Sequence, residues 1–418
     1  MSASLTALGS KPSRLHDRSP ALGASSRPRV LYSYPSKLGA TRICYTAWES
    51  VKNVAAAGAD VLVFPGVLQR ALPDSIRVKP TLARGKIRLP YKVLGTVRTF
   101  SLHDHIVASR LRKLAGQIDV VHTWPVGSLE TLRVAKELGI ATVLERPNAY
   151  TRFAYEVVAR ECARLGVTMP SHHEHAFHGD ILRIEEAEYA AADFLLCPSD
   201  FVKQTFLDAG FPCDKLLRHQ YGFNEMAFAP AERLPSQGLK MVFVGGVAPR
   251  KGLHYALEAW LRSSASAKGE FLIAGEFIPS YEAKLRSMLS HPSVKPLGHR
   301  TDVADLMRQS DILILPSIEE GSALVTSEAR GSGCVLVVSE AAGAICTHMQ
   351  NALVHKVGDV DQLTAHLDLL DQDRGLLEKL RCESLRTVHE ITWSAAGRRL
   401  FTVYQEAIAS RARRHGNS

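Results

Sequence analysis

With 418 residues the chain exceeds what one ordinary hydrophobic core organises and fits two domains. It is 46% hydrophobic and 22% charged, the composition of a globular protein, and no apolar run reaches the ~20 residues that span a bilayer. A net charge of +9 invites an anionic partner, whether nucleic acid, a membrane surface or a phosphorylated substrate. No helix-turn-helix, zinc-finger or RNP pattern supports nucleic acid, and basic tails also serve solubility alone.

Residues 1–28 are rich in Ser, Pro and Arg and lack the apolar segment of a signal peptide, so they read as a disordered basic tail. The seven cysteines (44, 162, 197, 213, 334, 346 and 382) are odd in number and form no C-x-x-C pair. That pattern argues against a disulfide framework or zinc ribbon, reads as free thiols, and suits a cytoplasmic protein. The basic surface adds the option of a peripheral site at the inner face of an anionic membrane.

Strand and helix signals then alternate. Arg29–Tyr34 is a β-rich run, Pro35–Gly39 a loop, Thr46–Ala57 a helix and Val61–Phe64 a strand. This is the βαβ unit of a parallel sheet, with a glycine at the ligand-facing turn. It recurs as strand Ile118–His122, helix Ser128–Leu138 and strand Ala141–Leu144. It recurs again as strand Phe194–Cys197 and a helix capped by Pro198-Ser199-Asp200. Residues 229–239 have linker composition. The alternation restarts with strand Met241–Val244, helix Leu253–Leu261, strand Phe271–Ala274, helix Tyr281–Leu289, the fully apolar strand Asp311–Leu315 and strand Val335–Val338. The expected fold is therefore α/β: two Rossmann-like, doubly wound parallel-sheet lobes, residues 29–228 and 240–390, facing across a cleft where ligands bind. Residues 391–410 form a last helix and 411–418 a basic tail.

Two loops of the second lobe carry the chemistry. After strand Val242–Val244 come Gly245-Gly246-Val247-Ala248-Pro249-Arg250-Lys251-Gly252. Glycines admit close backbone approach, and two cations stand before a helix N-terminus, so the loop suits an anion such as a diphosphate. Taken alone, the run is equally a solvated Arg-Lys pair on a surface loop. After strand Asp311–Leu315, Glu320 occupies the turn and Glu328 lies about two helical turns further on. Between them the amides of Gly321, Ser322, Ala323 and Leu324 are expected to be free to donate. Carboxylates flanking free amides suit a nucleotide sugar, with acceptors for hydroxyls and donors for phosphate oxygens. The bland alternative is an acidic cap with a helix-face glutamate.

These segments, Val242–Trp260 and Gly298–Val338, resemble the retaining glycosyltransferases of family 4, which have the GT-B fold. Glu320 and Glu328 match that family's E-x7-E motif and Lys251 its phosphate-binding lysine. The resemblance runs from about Arg29 to Ala409. It implies that Glu320 holds sugar hydroxyls and that Glu328 takes the ribose. Arg250 and Lys251 would neutralise the leaving diphosphate, with His299 and Arg300 beside the base. It implies a nucleotide-sugar donor, a glycosyl acceptor and no essential metal. Trp393 resembles the start of the family's C-terminal helix, which returns to the first lobe.

Three departures stand out. Gly246 occupies a position where the family often has arginine. The turn Gly321-Ser322-Ala323 has lost one glycine. The family's H-x-H reads His122-Thr123-Trp124 here, so either His122 substitutes or Trp124 packs a sugar face. Gly39, Arg146 and Asn148 are further cleft candidates on the first lobe. His172, His173, His175 and His178 follow a loop and lack the fixed spacing of a metal site. A donor-binding relative without transferase activity, or a GT-B nucleotide-sugar epimerase, remains the alternative to a transferase.

Overall fold

The computed structural model describes residues 27–84, 87–88, 95–171, 173, 175–232 and 238–416. Most of the basic tail and linker residues 233–237 lie outside that set, as does His172. The first lobe contains β1 (Arg29–Leu38), α1 (Ile43–Ala56), β2 (Asp60–Leu68), β3 (Arg77–Val78) and a small antiparallel pair, β4 (Ala83–Arg84) with β5 (Ile87–Arg88). It continues through α2 (Thr96–Arg112), β6 (Val120–Thr123), α3 (Leu129–Glu137), β7 (Ala141–Glu145), α4 (Thr151–Leu165) and α5 (Gly179–Ala191). It ends with β8 (Phe194–Cys197), α6 (Asp200–Asp208) and β9 (Leu216–Arg218). The parallel sheet runs β3-β2-β1-β6-β7-β8-β9.

Alternation along β1 explains the double winding. Val30 and Tyr32 pack with α1 residues such as Val51 and Val54 on one face, while Leu31 packs with Val107 and Leu111 of α2 on the other. Strand β1 is longer than its sequence suggests. It continues through Pro35 and Ser36 to Leu38 because a register shift between Tyr34 and Lys37 lets pairing with β2 resume at Val67 and Leu68. Gly39 then turns the chain at φ 85°, where a Cβ would stand 2.5 Å from that of Arg70.

The second lobe holds β10 (Lys240–Val244), α7 (Leu253–Arg262), β11 (Glu270–Ala274), α8 (Pro279–Leu289), β12 (Val294–Gly298), α9 (Val303–Arg308) and β13 (Ile312–Leu315). After these come α10 (Leu324–Gly331), β14 (Val335–Ser339), β15 (Ala352–His355), α11 (Val360–Gln372) and α12 (Arg374–Arg386). Its parallel sheet is β12-β11-β10-β13-β14-β15. Strand β13 is wholly buried at the centre, as its unbroken apolar run requires.

The final helix, α13 (Trp393–Gly416), belongs to the first lobe's core: Leu400, Val403, Tyr404 and Ala407 pack with β1, β2 and β6. It continues past the expected end at residue 410, and Arg411 is buried against Asp193 instead of lying in a basic tail. The two crossings between lobes touch, Phe223 bridging Thr392, and a Cβ at Gly222 would stand 2.2 Å from the Trp393 nitrogen.

His122 Nδ1 and the Tyr404 hydroxyl, 2.7 Å apart and fully buried, tie α13 to the sheet. Tyr404→Phe leaves that nitrogen without its partner and is expected to cost about 1–3 kcal/mol. Urea unfolding of the variant against wild type measures it.

Candidate active site

The loops after β10 and β13, neighbouring strands, meet at their C-terminal ends. Pro249–Lys251 form one 3-10 turn, and Gly252 closes it at φ 68°, where a Cβ would stand 2.0 Å from the Pro316 oxygen. The Ile318 amide donates to the Arg250 carbonyl at 2.9 Å. Backbone contacts thus fix the two loops before side chains are considered.

Four charged side chains then interlock. Arg250 Nε reaches Glu319 Oε2 at 2.5 Å and its Nη2 reaches Glu320 Oε2 at 3.0 Å, while Lys251 Nζ pairs with Glu320 Oε1. Arg250, Glu319 and Glu320 are all buried, and Ser317 Oγ donates to Glu320 at 3.3 Å. Burial alone would raise the Glu320 carboxyl, but Arg250 and Lys251 outweigh it and hold it below the usual range. Glu328 lies on α10, where burial lifts its carboxyl to about 7.

The structure brings Arg250, Lys251 and Glu320 together as the sequence suggests. It also adds Glu319, which sequence reasoning missed: no motif distinguishes the first glutamate of Glu319-Glu320 from the second. Glu319 also receives the Ala149 N–H of the first lobe at 3.2 Å. His175, on the loop after α4, is a second omission. Burial, followed by the charges of Arg250, His173 and Lys251, drives its imidazole down to about 2, so this first-lobe histidine is neutral beside the cation pair.

Several expectations need correction. The amides after Glu320 are not all free, because Ala323 N–H donates to Ala342 at 3.3 Å, a partner supplied by the turn after β14. Gly321 is buried between lobes: its carbonyl accepts from Ser199 Oγ at 2.5 Å, and a Cβ there would stand 1.6 Å from the Pro147 oxygen. Ser322 is half-buried, and Leu324 packs on the hinge aromatics Tyr221 and Trp393.

On the first lobe, Trp124 is buried and its indole N–H donates to Tyr32 at 2.7 Å, so it presents no face to a sugar. His122 is equally interior, held by Tyr404 and lying 3.4 Å from Glu145. Glu145 also meets His219 at 2.8 Å and the Tyr221 hydroxyl at 2.9 Å. Burial would raise Glu145, but His219 and His122 bring it down to about 2. Arg146 is spent on Glu185 and Thr151, with its guanidinium over the Tyr189 ring, and offers the cleft no charge. Asn148 is exposed, beside the Pro147 carbonyl that meets Gly321. His299 and Arg300 lie exposed after edge strand β12, Arg300 paired with Asp302. Gly246 is open, with nothing within 4 Å of a Cβ. Among the described residues no group of three or more His, Cys, Asp or Glu could hold a metal ion.

The geometry resembles that of known proteins. The family described as "Glycosyl transferases group 1" matches residues 238–373, the second lobe from β10 through α11. A D-inositol 3-phosphate glycosyltransferase of Thermobispora bispora is 26% identical over 211 residues, covering 45% of this chain and 49% of that protein. The match thus spans about half the length of that curated relative. Among solved structures, HepE of Anabaena in complex with UDP superimposes with a TM-score of 0.60 at 14% identity, over 90% of this chain and 99% of that one. A sucrose-phosphate synthase from Thermosynechococcus elongatus gives 0.63 at 16% identity, over 92% and 100%. At such identities these structures speak to fold. The chain accordingly has the two-lobed GT-B fold, and its second lobe matches the group 1 glycosyl transferases.

Proposed function

We propose that the chain moves a hexose-type sugar from a nucleoside-diphosphate sugar to an acceptor, with retention of anomeric configuration and no essential metal. The observation that carries this reading is the convergence of Arg250 and Lys251 on Glu320 at the ends of β10 and β13. A donor diphosphate entering there exchanges places with a carboxylate: the cations turn to the phosphate oxygens, and Glu320 is released to accept sugar hydroxyls. As the anomeric C–O bond breaks, charge builds on the diphosphate beside fixed cations, an arrangement that stabilises the transition state more than the ground state. The acceptor enters on the face the diphosphate leaves. Contacts between lobes at Gly321 exclude water from the reacting sugar.

HepE has been captured with UDP-glucose and with UDP and glucose, which supports UDP-sugars as the first donors to try. The name of the Thermobispora relative supports a small phosphorylated acceptor. A glycan or lipid-linked acceptor at the inner face of an anionic membrane suits the +9 charge and the likeness to WaaG, a glycosyltransferase involved in lipopolysaccharide biosynthesis. A second reading, donor binding without transfer, draws on the interior positions of His122 and Trp124.

Thermal shift against UDP-, GDP- and ADP-sugars in EDTA, with turnover assayed in parallel, tests the proposal. One nucleotide series should stabilise the protein, and Lys251→Ala should lose the shift and about 10²–10³-fold in turnover. Full turnover in Lys251→Ala would refute the diphosphate role given to Lys251, and a shift without turnover against any acceptor would favour the second reading.

Glu328 generates a pH prediction. A carboxyl near 7 in the folded chain and near 4.5 unfolded holds its proton only when folded, so stability without ligand falls as pH rises between those values. Glu328→Gln should therefore melt higher than wild type at pH 8 and no higher at pH 4. Ribose hydroxyls donate to the ionised form, so the preference for UDP over 2′,3′-dideoxy-UDP should grow from pH 6 to pH 8. That growth should vanish in Glu328→Gln.

Closure is testable at Gly321. Any side chain there meets the Pro147 carbonyl and wedges the lobes apart. Gly321→Ala should bind UDP near wild-type strength yet turn over at least about tenfold more slowly, with more donor hydrolysis relative to transfer, as expected when a lid fails to close.

A further inference from the structure

The outer side of the first lobe carries a second basic recess, apart from the cleft. Two adjoining cavities of about 340 Å³ each lie between the edge of the sheet and α2, sharing Phe64, Lys79 and Arg110. One wall is the chain just after β3. Three backbone bonds hold it beside β2: the amides of Lys79, Thr81 and Leu82 donate to the carbonyls of Val63, Pro65 and Gly66 at 2.8–2.9 Å. The Thr81 hydroxyl is fixed from within by His103 Nδ1 at 2.7 Å, and His103 Nε2 lies 2.8 Å from Ser33 Oγ of β1. The other wall is one face of α2 and its exit, where Ile106, Arg110, Lys113 and Leu114 follow the helical repeat. Buried Phe64 forms the floor.

The charge of this recess is unmatched. Among the described residues, the side chains of Lys79, Arg110 and Lys113 have no ion-pair or hydrogen-bond partner, and no carboxylate lines either cavity. His105 also lines it, and the Glu130 carboxylate it meets is shared with Arg112. The C-terminus of α2 contributes roughly half a negative charge, which offsets only a fraction of three cations. The sequence adds to the imbalance: between Asp74 and Asp104 it has seven Lys and Arg residues and no Asp or Glu. Cations gathered in this way repel one another, a cost that an anionic ligand removes.

The recess faces away from the reacting groups. Gly116, just beyond α2, accepts from Arg29 at the start of β1 at 2.7 Å. The Arg110–Lys113 end of the helix therefore lies toward the N-terminal ends of the strands, and the cleft toward their C-terminal ends. A guanidinium, two ammonium groups and the exposed Ser109 hydroxyl form a donor set suited to phosphate oxygens. Phe64, Ile106 and Leu114 give the carbon skeleton of an ester a place to rest.

We propose that this recess binds a phosphate-bearing ligand, with Lys79 from one wall and Arg110 and Lys113 from the other meeting its oxygens. The ligand is a soluble phosphate ester or the phosphate of a lipid headgroup, the same chemistry from two sources. The site is separate from the donor site and does not depend on the reading given to that one.

Calorimetric titration of the full chain with inorganic pyrophosphate at constant ionic strength tests this. Lys251→Ala is the background, because it removes a cation of the cleft that pyrophosphate could also meet. Adding Lys79→Ala/Arg110→Ala to it should weaken pyrophosphate about tenfold or more, the scale of one charge-assisted contact. Adding Arg133→Ala/Lys284→Ala, which removes equal charge from exposed sites elsewhere, should change nothing. With Lys251 intact, Lys79→Ala/Arg110→Ala should bind UDP as wild type does, so this site and the donor reading fail separately. Flotation with vesicles of phosphatidylglycerol or phosphatidylcholine separates the sources. Loss of phosphatidylglycerol binding in Lys79→Ala/Arg110→Ala assigns the headgroup, and vesicle binding unchanged while pyrophosphate is lost assigns the soluble ester. Pyrophosphate and vesicle binding that are both absent, or both indifferent to Lys79 and Arg110, overturn the proposal. Equal weakening by Arg133→Ala/Lys284→Ala also overturns it, because net charge alone then explains the binding.

Discussion

The Arg250 guanidinium, buried between Glu319 and Glu320, is the constraint on which the site depends. Burying one such charge alone is prohibitive, and pairing it in the interior returns little stability beyond what desolvation removes. What the pairing fixes is position. With Nε held by Glu319 and one Nη by Glu320, the planar group has one orientation, and Lys251 shares the same carboxylate. Because the Ile318 amide also bonds the Arg250 carbonyl, the loops of β10 and β13 move as one body. The cations that would meet a diphosphate are thus held at the ends of β10 and β13, paired with Glu320.

Glu319 couples this cluster to the other lobe, since its second oxygen accepts the Ala149 N–H. Two further contacts span the cleft nearby. Ser199 bonds the Gly321 carbonyl, and Glu161 on α4 bonds His254 and the Tyr255 hydroxyl, each at 2.8 Å. Burial would raise Glu161, yet His254, Arg164 and Tyr255 bring it down to about 2, so that latch stays ionised at physiological pH. The contact also has an apolar part: Val158 and Cys162 lie against Ile318, and Leu165 and Val167, at the end of α4, join the hydrophobic core of the second lobe.

Much of the architecture was legible because a doubly wound sheet writes itself into sequence as apolar strands alternating with amphipathic helices. Strands Phe194–Cys197 and Val335–Val338 came within one residue of their observed limits. Strand β1 ran past a proline because pairing with β2 outweighs local turn chemistry there. In the second lobe, Arg250, Lys251 and Glu320 were legible because strand ends aim their loops into the cleft. The same logic misled at β6 and β7. A residue at a strand's end faces the cleft only if no core claims it, and sequence spacing did not reveal that α13, 282 residues away, claims His122. Glu319 and the Ala323 amide were missed for a related reason: both are defined by partners distant in the chain.

That claim has a consequence for how the first lobe works. His122 is engaged by Tyr404, Glu145 by His219 and Tyr221, and Arg146 by Glu185, so the polar side chains at the ends of β6 and β7 hold the lobe together. What the first lobe turns toward the cleft is instead backbone and loop: the Pro147 carbonyl, the Ala149 amide, the turn from Gly39 to Arg42, and the histidines after Met169. Backbone groups recognise shape and closure without depending on side-chain identity, and loops change at little cost to a core they do not enter. The fold therefore separates its tasks. The second lobe keeps an interlocked charge cluster, while the first keeps a buried polar core and meets the cleft through the loops around it.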